Sequence, residues 1–250
     1  MDTTDFNNLQ QALAQADTAR SLDLRNQGLR KLPPSLAKLT RLESLDISAN
    51  PLGELPESLF GLTTLRRLRI GATGLKALPP ALSRLEHLTE LSLGGFDGYD
   101  GLPDALSGLR RLQTLDLTDA TRLRALPDWL ADLPELRELR LVRVRQLGNA
   151  ASIVARLPHL RALSIVDTPF SGFSQRPAWA RTLQRLELSE TQISALPEWL
   201  ADMQALESLR MEDNLDLNAI PASIGALSNL RSLYLGGQGE PFLPPELGRL

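Results

Sequence analysis

Residues 55–70 read Leu-Pro-Glu-Ser-Leu-Phe-Gly-Leu-Thr-Thr-Leu-Arg-Arg-Leu-Arg-Ile, and this stretch decides the fold. It contains Leu-Pro-x-x-Leu-x-x-Leu followed by Leu-x-x-Leu-x-Ile. The paired apolar core of the second phrase recurs as Leu22/Leu24, Leu45/Ile47, Leu68/Ile70, Leu91/Leu93, Leu115/Leu117, Leu139/Leu141, Leu163/Ile165, Leu186/Leu188, Leu209/Met211 and Leu233/Leu235. The steps between them are 23, 23, 23, 24, 24, 24, 23, 23 and 24 residues. A fixed period in the twenties marks a solenoid, whose units bury their apolar faces only against neighbours.

Each paired core reads as a short parallel strand. Alternation turns both apolar residues inward and leaves the flanking residues on a concave face. The Leu-Pro-x-x-Leu-x-x-Leu phrase reads as a short convex helix, with proline where a missing N–H costs nothing. The fold class is therefore α/β: a solenoid forming an arc, with a parallel concave β-sheet and short convex helices. Residues 1–18 lack the repeat. Phe6, Leu9 and Leu13 fall at helical spacing, and Thr3, Thr4 or Asp5 stands ready to cap a start, so a capping helix is expected there. Residues 19–250 form about ten repeats, the last incomplete, because the chain stops after Leu243-Pro-Pro-Glu-Leu-Gly-Arg-Leu with no following strand. One elongated domain is expected.

Five residues after the first strand leucine lies a slot suited to asparagine, whose amide bonds the turns of adjacent repeats. Here it reads Gln27, Asn50, Thr73, Phe96, Ala120, Val144, Thr168, Thr191, Asn214 and Gln238. The polar ladder breaks in the middle, where three of the four 24-residue steps begin, so water or a changed backbone is expected at those turns. In the seventh repeat Phe170 and Phe173 replace leucines and Pro177 takes a convex leucine position; Trp179 is expected to fill the gap. Residues 144–182 thus read as the softest part of the solenoid. Leu-Pro-Asp-Trp-Leu-Ala-Asp-Leu at 126–133 and Leu-Pro-Glu-Trp-Leu-Ala-Asp-Met at 196–203 suggest an internal duplication. Trp129 and Trp199 read as partly buried rather than as a partner surface.

The net charge of −3 argues against a nucleic-acid or anionic-membrane binder, which needs a basic stripe. There is no run of about twenty apolar residues for a membrane span, and no secretory signal at residues 1–15. The chain has no cysteine and no Asn-x-Ser/Thr acceptor, which favours a bacterial or cytosolic protein.

Catalytic groupings are scarce. His87 and His159 occupy equivalent places three repeats apart, too far to share a metal. The stretch Gly94-Gly95-Phe96-Asp97-Gly98-Tyr99-Asp100-Gly101 has neither P-loop nor EF-hand spacing and reads as a wide turn, with Tyr99 on the loop leucine slot. No catalytic, cofactor-binding or metal residue is assigned, and no cofactor is expected.

The outward columns carry more. The middle one reads Asp23, Asp46, Arg69, Ser92, Asp116, Arg140, Ser164, Glu187, Arg210 and Tyr234. Lateral pairs are expected between Asp46 and Arg69, Asp116 and Arg140, and Glu187 and Arg210, with Arg67 beside Glu90 and Arg143 flanked by Asp119 and Asp167. Such exposed pairs contribute about 0–1 kcal/mol each. Val142 and Val166 share a column as exposed apolar anchors, Tyr234 is a further one, and Gly71, Ala72, Gly94 and Gly95 form a low floor. Apolar anchors ringed by charge are what protein interfaces use. The candidate partner-binding set is Arg67, Arg69, Asp116, Arg140, Val142, Arg143, Val166, Glu187, Arg210 and Tyr234. Ten strands at about 4.8 Å span roughly 43 Å, which suits a folded protein rather than a small molecule.

The 23–24-residue phrase resembles leucine-rich repeats of the bacterial and plant type. Residues 55–65 and 115–127, the latter Leu-Asp-Leu-Thr-Asp-Ala-Thr-Arg-Leu-Arg-Ala-Leu-Pro, look closest to the repeat domains of plant-pathogen type III secreted effectors of the XopL and PopC kind. The resemblance implies a virulence protein, secreted by a bacterium into the host cell cytoplasm, whose repeats bind a host protein as a monomer. Some relatives carry a separate E3 ubiquitin ligase domain, so the alternative is the substrate-recruiting arm of such a ligase with its catalytic domain outside this chain. A further alternative is an endogenous cytoplasmic signalling scaffold.

Overall fold

The computed structural model describes residues 4–96, 98, 100–237 and 243–250. Thr3, Asp97, Tyr99 and Gln238, which figure in the expectations above, lie outside the described residues. The chain packs as two compact units, one of residues 1–123 and 133–135, the other of 124–132 and 136–250. In the first, six parallel strands pair in chain order: β1 (Asp5–Phe6), β2 (Ser21–Asp23), β3 (Ser44–Asp46), β4 (Arg67–Arg69), β5 (Glu90–Ser92) and β6 (Thr114–Asp116). In the second, five do so: β7 (Glu138–Val142), β8 (Ala162–Val166), β9 (Arg185–Ser189), β10 (Ser208–Glu212) and β11 (Ser232–Gly236). Register is strict, with Leu45 facing Leu68 and Leu139 facing Leu163, so leucine stacks on leucine.

The stretch that set the period shows why each coil closes. Leu59, Leu62, Leu65, Leu68 and Ile70 are all fully buried. Pro56 is extended (φ −73°, ψ 151°) and its carbonyl accepts from Leu59 N at 3.0 Å, while Leu62 N donates to Leu59 O at 3.1 Å. These are i→i+3 bonds, so Glu57–Gly61 is a 3-10 helix. A 3-10 helix has three residues per turn and eclipses i with i+3. Leucines spaced by three therefore fall on one face, which an α-helix would spread. The same turn recurs at Pro34–Lys38, Pro80–Arg84, Asp104–Gly108, Asp128–Asp132, Glu198–Asp202, Ala222–Ala226 and Pro245–Arg249. Repeat 6, which lacks the proline, forms a short α-helix instead, α2 (Ala150–Val154).

The N-terminal segment differs from expectation. Its helix, α1, is confined to Leu9–Ala14 and is capped by Asn8, whose Oδ1 accepts from Gln11 N at 3.1 Å. Thr4 and Asp5 cap nothing, because the chain there is extended and adds β1 to the sheet. Phe6 and Ala12 are the residues it buries.

At the ladder slots Asn50 and Asn214 behave as asparagine should. Asn50 accepts from Gln27 N (2.9 Å) and Leu29 N (3.0 Å) and donates to Leu24 O (2.8 Å) and Ile47 O (2.9 Å). In the gap the expected change of backbone does not occur. The residue before each slot stays left-handed there: Gly95 at φ 70°, Asp119 at 58°, Arg143 at 56°. Phe96, Ala120 and Val144 plug the turns as buried apolar side chains. Thr168 Oγ1 accepts from Val144 N at 3.0 Å, and Asn149, outside the slot, bonds both Leu126 N (2.8 Å) and Leu126 O (2.9 Å).

Trp179 does fill the gap in repeat 7. It is fully buried, its indole N–H donates to Val154 O at 2.9 Å, and its ring meets Phe173 edge-on at 5.1 Å. Phe173 in turn meets Phe170 at 4.8 Å. Thr168 and Trp179 thus supply a turn bond and a core side chain within residues 144–182, where the sequence lacks a ladder asparagine and a convex leucine. Trp129 and Trp199 are half-buried, as read.

Candidate functional site

In the first unit the outward columns are largely occupied by the fold itself. Asp23, Asp46 and Asp116 each accept from the backbone N–H two residues on, Arg25, Ser48 and Thr118, all at 2.9 Å. This Asx turn starts the loop after each strand. Asp116 also takes Thr118 Oγ1 at 2.6 Å and Ser92 Oγ at 3.3 Å, so its oxygens serve the turn and the neighbouring strand. Arg69 pairs with Asp46 at 3.9 Å, as expected. Arg67 lies in register with Glu90 but bonds Ser44 Oγ on the other side at 3.4 Å. The low floor has a backbone cause: a Cβ on Gly71 would stand 2.0 Å from Gly94 O. Likewise, a Cβ on Gly98 would stand 2.2 Å from Leu75 O, so only glycine fits this close to the preceding repeat.

The second unit presents longer strands and a fuller face. Val142 and Val166 are register partners on β7 and β8. Both are half-buried rather than freely exposed. Ser189 follows in the same row, buried, with its Oγ accepting from Glu212 N at 3.1 Å. Arg140 is held by Glu138 on its own strand, Nη2 to Oε1 at 2.6 Å. Arg185 reaches across β8 to the same carboxylate at 3.9 Å, over Ala162, which is buried. Glu187 accepts from Ser164 Oγ and pairs with Arg210 at 3.6 Å, as expected. Arg210 also pairs with Glu212 at 2.5 Å and stacks on Tyr234, 4.9 Å from the ring centroid. Tyr234 is 51% exposed.

Arg143 is exposed at a left-handed position. Of its two expected flanking carboxylates, Asp119 and Asp167, the latter is engaged by Arg145, Nε to Oδ2 at 2.9 Å. That hydrogen bond, with the carboxylate's charge, raises the Arg145 pKa above its ordinary value. Sequence reading missed Glu138, Arg145, Arg185 and Glu212. Glu138 and Arg185 stand in the column before the first inward leucine, of which only Arg67 and Glu90 were weighed.

His87 and His159 are exposed. Among the described residues no three His, Cys, Asp or Glu side chains could hold a metal ion, and no helix is long and apolar enough to cross a membrane. What the second unit offers is a strand face of paired charges with Val142, Val166 and Tyr234 among them.

Comparison with known proteins agrees with this architecture. Leucine-rich repeat-containing protein 7 of Rattus norvegicus is 39% identical over 72 residues, 27% of this chain and only 5% of that protein. A Leptospira interrogans leucine-rich repeat protein superposes over 100% of this chain and 74% of its own, with a TM-score of 0.70 and 23% identity, a likeness of fold alone. The leucine-rich repeat domain of the type III effector XopL covers 91% of this chain and 72% of its own, with a TM-score of 0.54 and 27% identity. A family model described as a leucine-rich repeat region matches residues 59–183, half of the chain, and another described as a leucine-rich repeat matches residues 41–62. The chain belongs to the leucine-rich repeat family.

Proposed function

We propose that the strand face of the second unit binds a folded host protein, and that the chain is the recognition domain of a bacterial type III effector, without turnover of its own. The fold is suited to protein–protein interaction. The observation that carries the reading is the division of labour on β7–β11. Arg140, Arg185 and Arg210 are already satisfied by Glu138, Glu187 and Glu212, while Val142, Val166 and Tyr234 still present apolar surface. Side chains fixed before binding lose little entropy on contact, which is how a rigid surface gains affinity. The likeness to the XopL repeat domain supports the effector reading. In the first unit Arg67 and Arg69 are candidate contacts on that unit's own strand face, whereas Asp116 accepts within its own turn.

Affinity capture from plant extract tests this. The wild-type chain is expected to recover a host protein that Val142→Asp/Val166→Asp loses. Because both valines are half-buried, the milder Val142→Thr/Val166→Thr pair and a melting curve for each variant separate lost contact from lost fold. A folded double variant that binds with wild-type affinity would overturn the assignment. Autoubiquitination by this chain alone would overturn the non-catalytic part.

A further inference from the structure

The geometry points to Tyr234 as a preformed hot spot for a basic-flanked apolar segment of the partner, with Gly236, Arg210 and the carboxylates of Glu187 and Glu212 as its positioning residues. This rests on the strand-face reading above and adds the partner's chemistry.

Four features meet at the end of the sheet. β10 and β11 pair in register, placing Arg210 beside Tyr234 and Glu212 beside Gly236. The Arg210 guanidinium is fixed from two sides, by Glu187 at 3.6 Å and Glu212 at 2.5 Å, and the Tyr234 ring lies on it at 4.9 Å. A cation over a tyrosine face is attracted by the ring quadrupole. Gly236 shares the strand face with Tyr234, two residues away, and the ring leans over it. A Cβ built there would stand 2.9 Å from Tyr234 Cε1 and 3.5 Å from both Cζ and Oη. The clash is with a side chain, so an alanine would push the ring away and leave the strand in place. Tyr234 is nonetheless half exposed. A large aromatic held in one orientation with an open face is what dominates binding energy at interfaces, and tyrosine has only two χ angles to fix.

The surroundings select what comes to it. Glu187 and Glu212 set two carboxylates against the single guanidinium of Arg210, and Asp213, which follows Glu212 in the chain, is exposed with no ion-pair or side-chain hydrogen-bond partner among the described residues. A partner carboxylate is repelled there and a Lys or Arg is attracted, while the free ring face takes an aliphatic or aromatic side chain.

The probe is a random twelve-residue peptide display library. It is selected on the wild-type chain and counter-selected on Tyr234→Ala. The expected winners carry Lys or Arg beside a large apolar residue, and bind Gly236→Ala and Arg210→Ala at least ten-fold more weakly than wild type. Tyr234→Phe should retain most of the affinity. The second arm uses 3-fluorotyrosine labelling, informative because the chain has only two tyrosines. The Tyr234 fluorine signal, assigned with Tyr234→Phe, is expected away from the position of free tyrosine and to move toward it in Gly236→Ala at unchanged melting temperature. Acidic winners, winners indifferent to Tyr234, no enrichment over the counter-selection, or a Tyr234 signal unmoved by Gly236→Ala would each overturn the proposal. Failure here with capture still lost in the valine variants would leave the host-binding face standing; retained capture in those variants would remove the face itself.

Discussion

Replacing Trp179 tests how the irregular seventh repeat is held together. The side chain is fully buried, touches Phe173 and Trp199 through its ring, and donates to Val154 O. Truncation of a buried tryptophan to alanine costs about 3–5 kcal/mol, transfer and cavity together. The Val154 carbonyl is not orphaned by the change, because Leu157 N also donates to it at 3.2 Å. Only the net worth of one hydrogen bond, about 0.5–1.5 kcal/mol, is therefore lost on that account. Trp179→Ala is expected to cost about 4 kcal/mol. At roughly 2–4 °C per kcal/mol for a chain of this size, the melting point falls by about 8–16 °C. Trp179→Phe keeps most of the ring and loses the bond, so about 1–2 kcal/mol is expected. Urea and thermal denaturation followed by far-ultraviolet circular dichroism measure both, free of the altered tryptophan fluorescence. A cost under about 1 kcal/mol for the alanine variant, or equal costs for the two variants, would refute this account of the cluster.

Other expectations follow from single contacts. Leu139→Ala should cost about 2–5 kcal/mol in urea denaturation, since the side chain is fully buried and faces Leu163 in register. Asn50→Ala should cost more than about 2 kcal/mol in the same measurement, because Gln27 N, Leu29 N, Leu24 O and Ile47 O all use that amide. Gly71→Ala should destabilise by about 1–3 kcal/mol through the clash with Gly94 O, whereas Gly61→Ala, with open space around its Cβ, should be near neutral. Amide hydrogen exchange is expected to protect β8 about as well as β3, since Thr168, Asn149 and Trp179 supply the bonds the sequence appeared to lack there.

Much of the fold was legible because two periods coincide in one phrase. Alternation at Leu68 and Ile70 fixes the strand face, and the three-residue spacing of Leu59, Leu62 and Leu65 fixes the inward side of the turn. That spacing implied a short helix but did not say 3-10, since an α-helix tolerates the same leucines less well without excluding them. The gap at Phe96, Ala120 and Val144 misled because the turn is set by the left-handed residue before each slot, and an apolar plug suffices where backbone and neighbouring side chains complete the bonding. At the site, short-range pairs such as Asp46 with Arg69 and Glu187 with Arg210 could be read from adjacency. Long side chains escape that rule. Arg185 passes over β8 to Glu138, and Arg145 reaches Asp167 from beyond the strand. Gly236 beneath Tyr234 was not legible, because its role depends on where the ring lies.

Hydroxyl-radical footprinting of the chain with and without the captured host protein tests the central claim most directly. Val142, Val166 and Tyr234 stand on the strand face, while Trp129 and Trp199 lie at the 3-10 turns, so the two surfaces report separately. Binding is expected to suppress oxidation at Val142, Val166 and Tyr234 and to leave Trp129 and Trp199 unchanged. Protection of the two tryptophans with Val142, Val166 and Tyr234 still oxidised as in the free chain would contradict it.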